Sequence, residues 1–203
     1  MKTIEKILNP KEKVSDLSLD ELIAIARNGF GTEMTREDIV NHIINIDILY
    51  LLKYKNELVG FSSYDLHEFN GNKILYLSGI VLRRDMQKNG FFKDTNKIAL
   101  SEIKPKYFTM KTQNPVIYGA TKNLVSKIYP NGEIIPENIK KIAGLFCSGF
   151  FDRDKLICKK NYGNCLYDKI PEYKNINDFF ENTLKIDYYS GDSVVIVGEM
   201  NDS

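Results

Sequence analysis

The amino-acid sequence predicts an α/β protein of the α+β kind, a mixed, mostly antiparallel twisted sheet flanked by helices, with an enlarged C-terminal segment. Three observations carry that expectation. Two helical patterns precede the first β-rich run, three β-rich runs then follow one another across tight turns, and a helical pattern next separates two strand patterns. The 203 residues are expected to form one domain, 1–203, in which 131–190 is an elaborated connection before a terminal strand. Hydrophobic residues at 43% and charged residues at 27% are those of a folded globular chain and exclude disorder, collagen and simple coiled coil.

Residues 18–28 open with Ser18 and carry Glu21 three positions on, a capping-box signal, and the pattern closes before Gly29, so a helix is expected there. Thr35 repeats the logic as an N-cap with Asp38 in the first turn, and Ile39, Ile43, Ile44 and Ile46 supply the apolar stripe. The runs 48–54 and 57–64 flank the polar pair Lys55-Asn56 and read as a hairpin. Asn70-Gly71 marks a second tight turn because both residues tolerate positive φ, and 73–82 follows as the third strand of a meander. Gln87 to Glu102 reads as helix and 106–111 as a short strand, a strand–helix–strand crossing that makes the local pairing parallel. Asn114 caps a helix with Pro115 at its first position, running toward Ile128 and stopping at Pro130. Pro136 begins another, with Ile139, Ile142, Ala143, Phe146 and Phe150 at helical spacing. A turn-rich aromatic stretch from Asp152 to Tyr189 then leads to a terminal strand at 193–198.

Charge and cysteine usage narrow the partners. Lys and Arg number 28 against 27 Asp and Glu, and a net charge of +1 gives no field to hold nucleic acid or an anionic membrane nonspecifically. Neither partner is expected, and homodimerisation is left open. Three cysteines, Cys147, Cys158 and Cys165, are expected as reduced thiols in a cytoplasmic protein. His42 and His67 are remote from them in sequence, so no metal is expected. The first residues lack the apolar core of a signal peptide, and no uncharged stretch reaches the roughly 18 apolar residues of a membrane helix.

The sharpest chemical signal lies where the third strand gives way to the next helix, from Ile80 through Leu82 to Gln87, Lys88, Asn89, Gly90, Phe91 and Phe92. Gly90 lets the backbone approach a ligand closely, and the first-turn N–H groups of the following helix suit a pyrophosphate, with Lys88 and Lys93 at the rim. A plain strand-to-helix turn has the same ingredients.

This segment resembles the acyl-CoA signature of the GNAT superfamily of N-acyltransferases. There a strand ending in a Val-like residue precedes Gln or Arg, two variable residues, Gly, one variable residue, and Gly or Ala. Leu82 takes the Val-like place and Gln87 to Phe92 form the loop, with Phe92 departing where the family has a small residue. The likeness extends in element order over roughly residues 18–130 and the terminal strand. It implies a cytoplasmic N-acetyltransferase (EC 2.3.1.-) that uses acetyl-CoA as cosubstrate and acts on a primary amine, carried by a small molecule or a protein, by direct attack in a ternary complex.

The same resemblance implies roles for individual residues. Backbone N–H groups near Ile80 and Leu82 bind the pantetheine arm and polarise the thioester, and Asn114 lies near the pantetheine while also capping its helix. Tyr118, one helical turn after Asn114, and Tyr129 are rival acids for the departing thiolate, with packing as the other use of each. No acid lies on the strand face that carries Tyr76, Ser78 and Ile80, so the base is a water, His67 or Glu68, with an exposed turn position the alternative for His67. The aromatic residues of 131–190 either wall an acceptor pocket or form core. Two other readings compete: a noncatalytic acyl-CoA-binding or sensor domain, and a different phosphate-ligand binder sharing only the turn.

Overall fold

A computed structural model of the chain describes residues 1–16, 18–30, 35–167 and 169–201. The chain groups into two compact units, Met1–His67 with Leu75–Ile103, and Glu68–Ile74 with Lys104–Ser203.

The first unit holds β1 (Lys2–Leu8), a 3-10 segment (Pro10–Asp16), α1 (Leu19–Phe30), α2 (Arg36–Ile44), β2 (Ile48–Tyr54), most of β3 (Glu57–Phe69) and of β4 (Asn72–Leu82), and α3 (Phe91–Ile103). Its strands lie in the order β1-β2-β3-β4. The expected meander is present, and Asn70 and Gly71 both take positive φ at the hairpin tip. The sequence reading missed β1, which pairs antiparallel with β2 from Lys2 opposite Tyr54 to Leu8 opposite Ile48. Its only half-buried apolar residues, Ile4 and Ile7, are three apart and break the period of two, while Lys2, Glu5 and Lys6 give it the charge of an edge strand.

One face of this sheet carries α1 and α2. Leu22, Ile25 and Ala26 of α1 and Ile39 and Ile43 of α2 pack with Leu49, Phe61 and Val81. Thr35 caps α2 as expected, its Oγ1 accepting the Asp38 N–H at 3.1 Å. Gly29, expected to stop α1, lies inside it instead, because a Cβ there would come within 2.6 Å of the Leu82 carbonyl oxygen and only glycine admits that approach. Along α3, Phe91, Thr95, Asn96, Ala99 and Leu100 are buried. Asn96 accepts the Tyr64 hydroxyl at 3.0 Å, and Glu102 accepts that of Tyr50 at 3.0 Å. The helix expected from Gln87 begins at Phe91, because Lys88 and Gly90 have positive φ and no right-handed helix passes through them.

The second unit holds the tip of the β3–β4 hairpin, β5 (Tyr107–Thr112), α4 (Pro115–Lys122), β6 (Lys127–Tyr129), α5 (Glu137–Gly144), β7 (Phe151–Asp152), β8 (Ile157–Cys158), α6 (Lys174–Asp178) with a π-helical continuation (Phe179–Leu184), and β9 (Ser193–Glu199). The terminal strand β9 is central to this unit. It pairs antiparallel with β5, with β8 through Ser193 and Val194, and with β6 through Val197 to Glu199. Val194 to Val197 are fully buried, which explains their unbroken apolar run.

Three expectations change here. Helix α4 ends at Lys122 and not near Ile128, since Asn123 caps it and 127–129 pair with β9. Helix α5 ends at Gly144, so Phe146 and Phe150 follow it; Phe146 is buried and Phe150 is 74% exposed. Finally, Cys147 and Cys158 form a disulfide, which overturns the expectation of three reduced thiols and leaves Cys165 free. The short β7–β8 hairpin returns the chain toward the end of α5, with Lys159 N–H bonded to the Phe150 carbonyl, and brings the two sulfurs together. Among the described residues no helix is long and apolar enough to cross a membrane.

Candidate functional site

In the first unit the strand-to-helix connection is built from three short pieces. Arg84–Met86 make one 3-10 turn that buries Met86, Gln87 is extended, and Lys88 and Gly90 are left-handed, with φ +65° and +79°. Asn28 holds the turn from α1, its side chain accepting the Arg84 N–H at 2.9 Å and its carbonyl the Arg84 guanidinium at 3.0 Å. Residues Gln87 to Gly90 are exposed, Phe91 is buried and Phe92 half-buried. The two phenylalanines thus anchor the start of α3, and the loop backbone faces outward.

The first intrahelical donor of α3 is Asp94 N–H, bonded to the Gly90 carbonyl at 3.0 Å. The N–H groups of Phe91, Phe92 and Lys93 therefore precede the helical ladder at the positive end of the helix dipole. Sequence reasoning missed Lys2. Its ammonium pairs with Asp94 at 2.7 Å, lies 5.1 Å from the centroid of the Phe91 ring, and would be 3.2 Å from a Cβ on Gly90. With Lys2 paired to Asp94, Lys88 and Lys93 leave this end of α3 with a positive balance that the net charge of the chain conceals. A glycine loop, unladdered N–H donors and three lysines fit the phosphate groups of a nucleotide-type ligand.

Ile80 and Leu82 are half-buried near the end of β4. Strand alternation is interrupted just before them. Asp65 shares the Phe61 face of β3 by its even spacing, and Ser78 of β4 donates its hydroxyl to Asp65, yet Val81, an odd number of residues from Ser78, packs with Phe61. The backbone thus changes face between Ser78 and Val81, as a bulge does.

Asp65 is the titratable residue that sequence reasoning passed over. Burial raises its carboxyl above the usual aspartate range against the opposing pull of the Ser78 hydrogen bond, with Asp47 raising it further and His67 lowering it. The His67 and Tyr76 rings meet edge-on with centroids 6.2 Å apart, and burial also raises the Tyr76 phenol. His67 itself is exposed, as is Glu68. The available signal was the three-residue run Tyr64-Asp65-Leu66, an acid inside a long β pattern.

In the second unit Asn114 caps α4 through Oδ1, which accepts the Val116 N–H at 2.9 Å, and its side chain also hydrogen-bonds Tyr167. Tyr118 is buried, its hydroxyl donating to the Pro130 carbonyl at 2.5 Å and its ring flanked by Phe179 and Phe180. Burial pushes its phenol up to about 12. Tyr129 is buried as well, with its hydroxyl 3.4 Å from Glu199 Oε2. Phe180 and Tyr188 of the long connection are core, whereas Tyr189 is 85% exposed.

Gln113, unremarked in the sequence, is fully buried and ties the connection to β5. Its amide donates to the carbonyls of Asn164, Tyr188 and Asp192, and its oxygen accepts the Leu166 N–H at 2.9 Å. Among the described residues no group of three or more His, Cys, Asp or Glu side chains is placed to hold a metal ion.

No family model matches the chain, and no curated protein matches it in sequence. Solved structures do resemble it. The ribosomal-protein-S18-alanine N-acetyltransferase from Escherichia coli aligns over 100% of this chain and 96% of its own, with a TM-score of 0.56 and 9% identity. A GNAT family acetyltransferase from Elizabethkingia anophelis with acetyl-CoA bound covers 98% of each chain at a TM-score of 0.49 and 15% identity. An IAA acetyltransferase from Bacillus cereus covers 98% of this chain and 100% of its own at 0.48 and 13%. At 9% identity the likeness to the first of these is one of fold.

Proposed function

We propose that this chain, whose fold is that of the GNAT acetyltransferases, is an N-acyltransferase that passes an acetyl group from acetyl-CoA to a primary amine by direct attack in a ternary complex. The observation that carries the reading is the exposed loop from Gln87 to Gly90, which opens α3 with N–H donors that precede the helical ladder and stands among Lys2, Lys88 and Lys93. Its backbone and that of Phe91 and Phe92 would cradle the pyrophosphate, and the N–H groups near Ile80 and Leu82 would meet the pantetheine arm and polarise the thioester carbonyl.

The chemistry asks little of side chains. The amine nitrogen forms a bond to the carbonyl carbon, the carbon–sulfur bond breaks, and the sulfur leaves with its electron pair and takes up a proton. Asn114 is proposed for a pantetheine contact and Tyr118 or Tyr129 for the acid. The acceptor is an amine on a small molecule or a protein.

One observation favours a second reading, a noncatalytic acyl-CoA-binding domain: the hydroxyl of Tyr118 already donates to Pro130. Release of free thiol from acetyl-CoA, followed with a thiol reagent while primary amines are varied, separates the two. Amine-dependent release supports the transferase, and saturable binding without release supports the binding domain.

A further inference from the structure

An amine that arrives as an ammonium ion must lose a proton before its nitrogen can attack, and the side chains expected from sequence to accept it, His67 and Glu68, are both exposed. The first unit contains one carboxylate whose surroundings suit the task. Asp65 is half-buried on β3, so it is partly desolvated yet within reach of solvent. The opposing strand fixes it through the Ser78 hydroxyl, which donates to Oδ2. The rings of Tyr76 on β4 and His67, two residues along β3, meet each other edge-on, and each is close enough to interact electrostatically with Asp65. Asp47, at the head of β2, accepts the Leu66 N–H at 2.6 Å and adds a second negative charge nearby.

This arrangement differs from the ion pairs elsewhere in the unit. Glu5, Asp94 and Glu102 each meet a lysine at 2.7 Å or less, whereas no lysine or arginine pairs with Asp65 among the described residues. A half-buried carboxylate that no lysine or arginine pairs with among the described residues, with a second acid and the His67 imidazole acting on it, is arranged to receive a cation from outside.

We propose that Asp65 is the general base for the acceptor, binding its ammonium group and taking one proton from it, with Ser78 as the positioning residue that aims the carboxylate. The proposal rests on the acyl-transfer reading. The ammonium and carboxylate become a neutral amine and a carboxylic acid. The freed nitrogen lone pair forms the carbon–nitrogen bond, the carbon–sulfur bond breaks, and the second nitrogen proton leaves with the sulfur electron pair to give amide and thiol. Desolvation keeps the carboxyl above the ordinary aspartate range, closer to the amine whose proton it takes. Ser78 stabilises the charged form and so tempers that rise.

The test uses the full chain with Asp65→Asn and Ser78→Ala. With acetyl-CoA and spermidine, an alanyl peptide and tyramine as probe amines, Asp65→Asn is expected to lower kcat/KM about 100-fold while acetyl-CoA affinity stays within about twofold. Loss of the Ser78 hydrogen bond should move the acidic limb of the kcat/KM profile to higher pH, a displacement that a structural role for Ser78 would not produce. Turnover by Asp65→Asn within threefold of wild type overturns the proposal.

A second measurement stands apart from turnover. The carboxyl carbon of Asp65, assigned in the NMR spectrum by its absence from Asp65→Asn, should titrate above the usual value of about 3.9 and shift downward when the amine is added. An ordinary midpoint with no response to any probe amine overturns the proposal even if the wild-type chain turns acetyl-CoA over. Wild-type protein that binds no acetyl-CoA would instead refute the acyl-transfer reading itself.

Discussion

Gly90 joins backbone geometry to ligand binding, and two substitutions there separate the contributions. At φ +79° any L residue takes on the left-handed penalty, about 1–2 kcal/mol. The steric part is small, because the nearest atom to a new Cβ is the Lys2 ammonium at 3.2 Å, the free end of a flexible side chain, and Asp94 is 3.9 Å away. Gly90→Ala and Gly90→Glu should therefore lose similar stability in urea denaturation, about 1–2 kcal/mol each. Binding should part them. An alanine leaves the unladdered donors of α3 in place and costs at most about tenfold in acetyl-CoA affinity. A glutamate places a carboxylate over those donors and beside Lys2, and losing one charge-assisted contact, worth about 1.5–3 kcal/mol, while gaining like-charge repulsion should weaken binding by about 100-fold or more. Calorimetric titration of the folded variants reads the difference directly. Equal affinities of Gly90→Ala and Gly90→Glu would refute the placement of phosphate on this loop.

Three further outcomes follow from the second unit and its connection. The Cys147–Cys158 bond closes a loop with a sequence separation of 11, for which loop-closure entropy gives about 2.8 kcal/mol, so reductant or the double serine variant should lower Tm by about 6–11 °C, and a Tm indifferent to reductant would contradict the pairing. Asp192 is buried, and although desolvation alone would raise its carboxyl, the Lys159 ammonium at 2.7 Å and the N–H groups of Lys160 and Asp187 outweigh it and hold the group below its usual range. A depressed folded-state value contributes stability above the ordinary aspartate range and loses it as pH falls through the folded value, so Asp192→Asn should be less stable than wild type at pH 7 with the gap narrowing in acid; a gap constant with pH would exclude that linkage. Tyr118→Phe leaves the Pro130 carbonyl without its donor and should cost about 1–2 kcal/mol in denaturation. If Tyr118 is the acid, that variant lowers turnover far more than acetyl-CoA affinity, and unchanged turnover passes the role to Tyr129 or water.

What the sequence made legible was local. Thr35 and Asn114 announce their helices because a cap needs only neighbours within three residues, and both side chains accept the expected N–H groups. Asn70-Gly71 marks its turn for the same reason. The start of α3 was misread because Lys88 takes a positive φ that no lysine advertises. Long-range facts stayed hidden. Strand β1 is defined by its partner β2 and not by its own alternation. The disulfide depends on a hairpin that returns the chain to the end of α5, and Gln113 reads as an ordinary polar residue until the segments it ties are folded around it. Asp65 stayed hidden, although His67 and Glu68 on the same strand were visible as candidate bases, because the hydroxyl that fixes its carboxylate comes from Ser78 on the neighbouring strand β4. Within the candidate site, the sequence made the glycine loop visible and concealed the lysine that β1 brings to it.

The most direct test of the account is calorimetric titration of the purified chain with acetyl-CoA, with CoA and ATP as comparators. Saturable binding that prefers acetyl-CoA to ATP, and that Gly90→Glu weakens by about 100-fold or more, is expected. No binding, or equal binding of acetyl-CoA and ATP, would contradict it and reduce the loop before α3 to a turn within a shared fold.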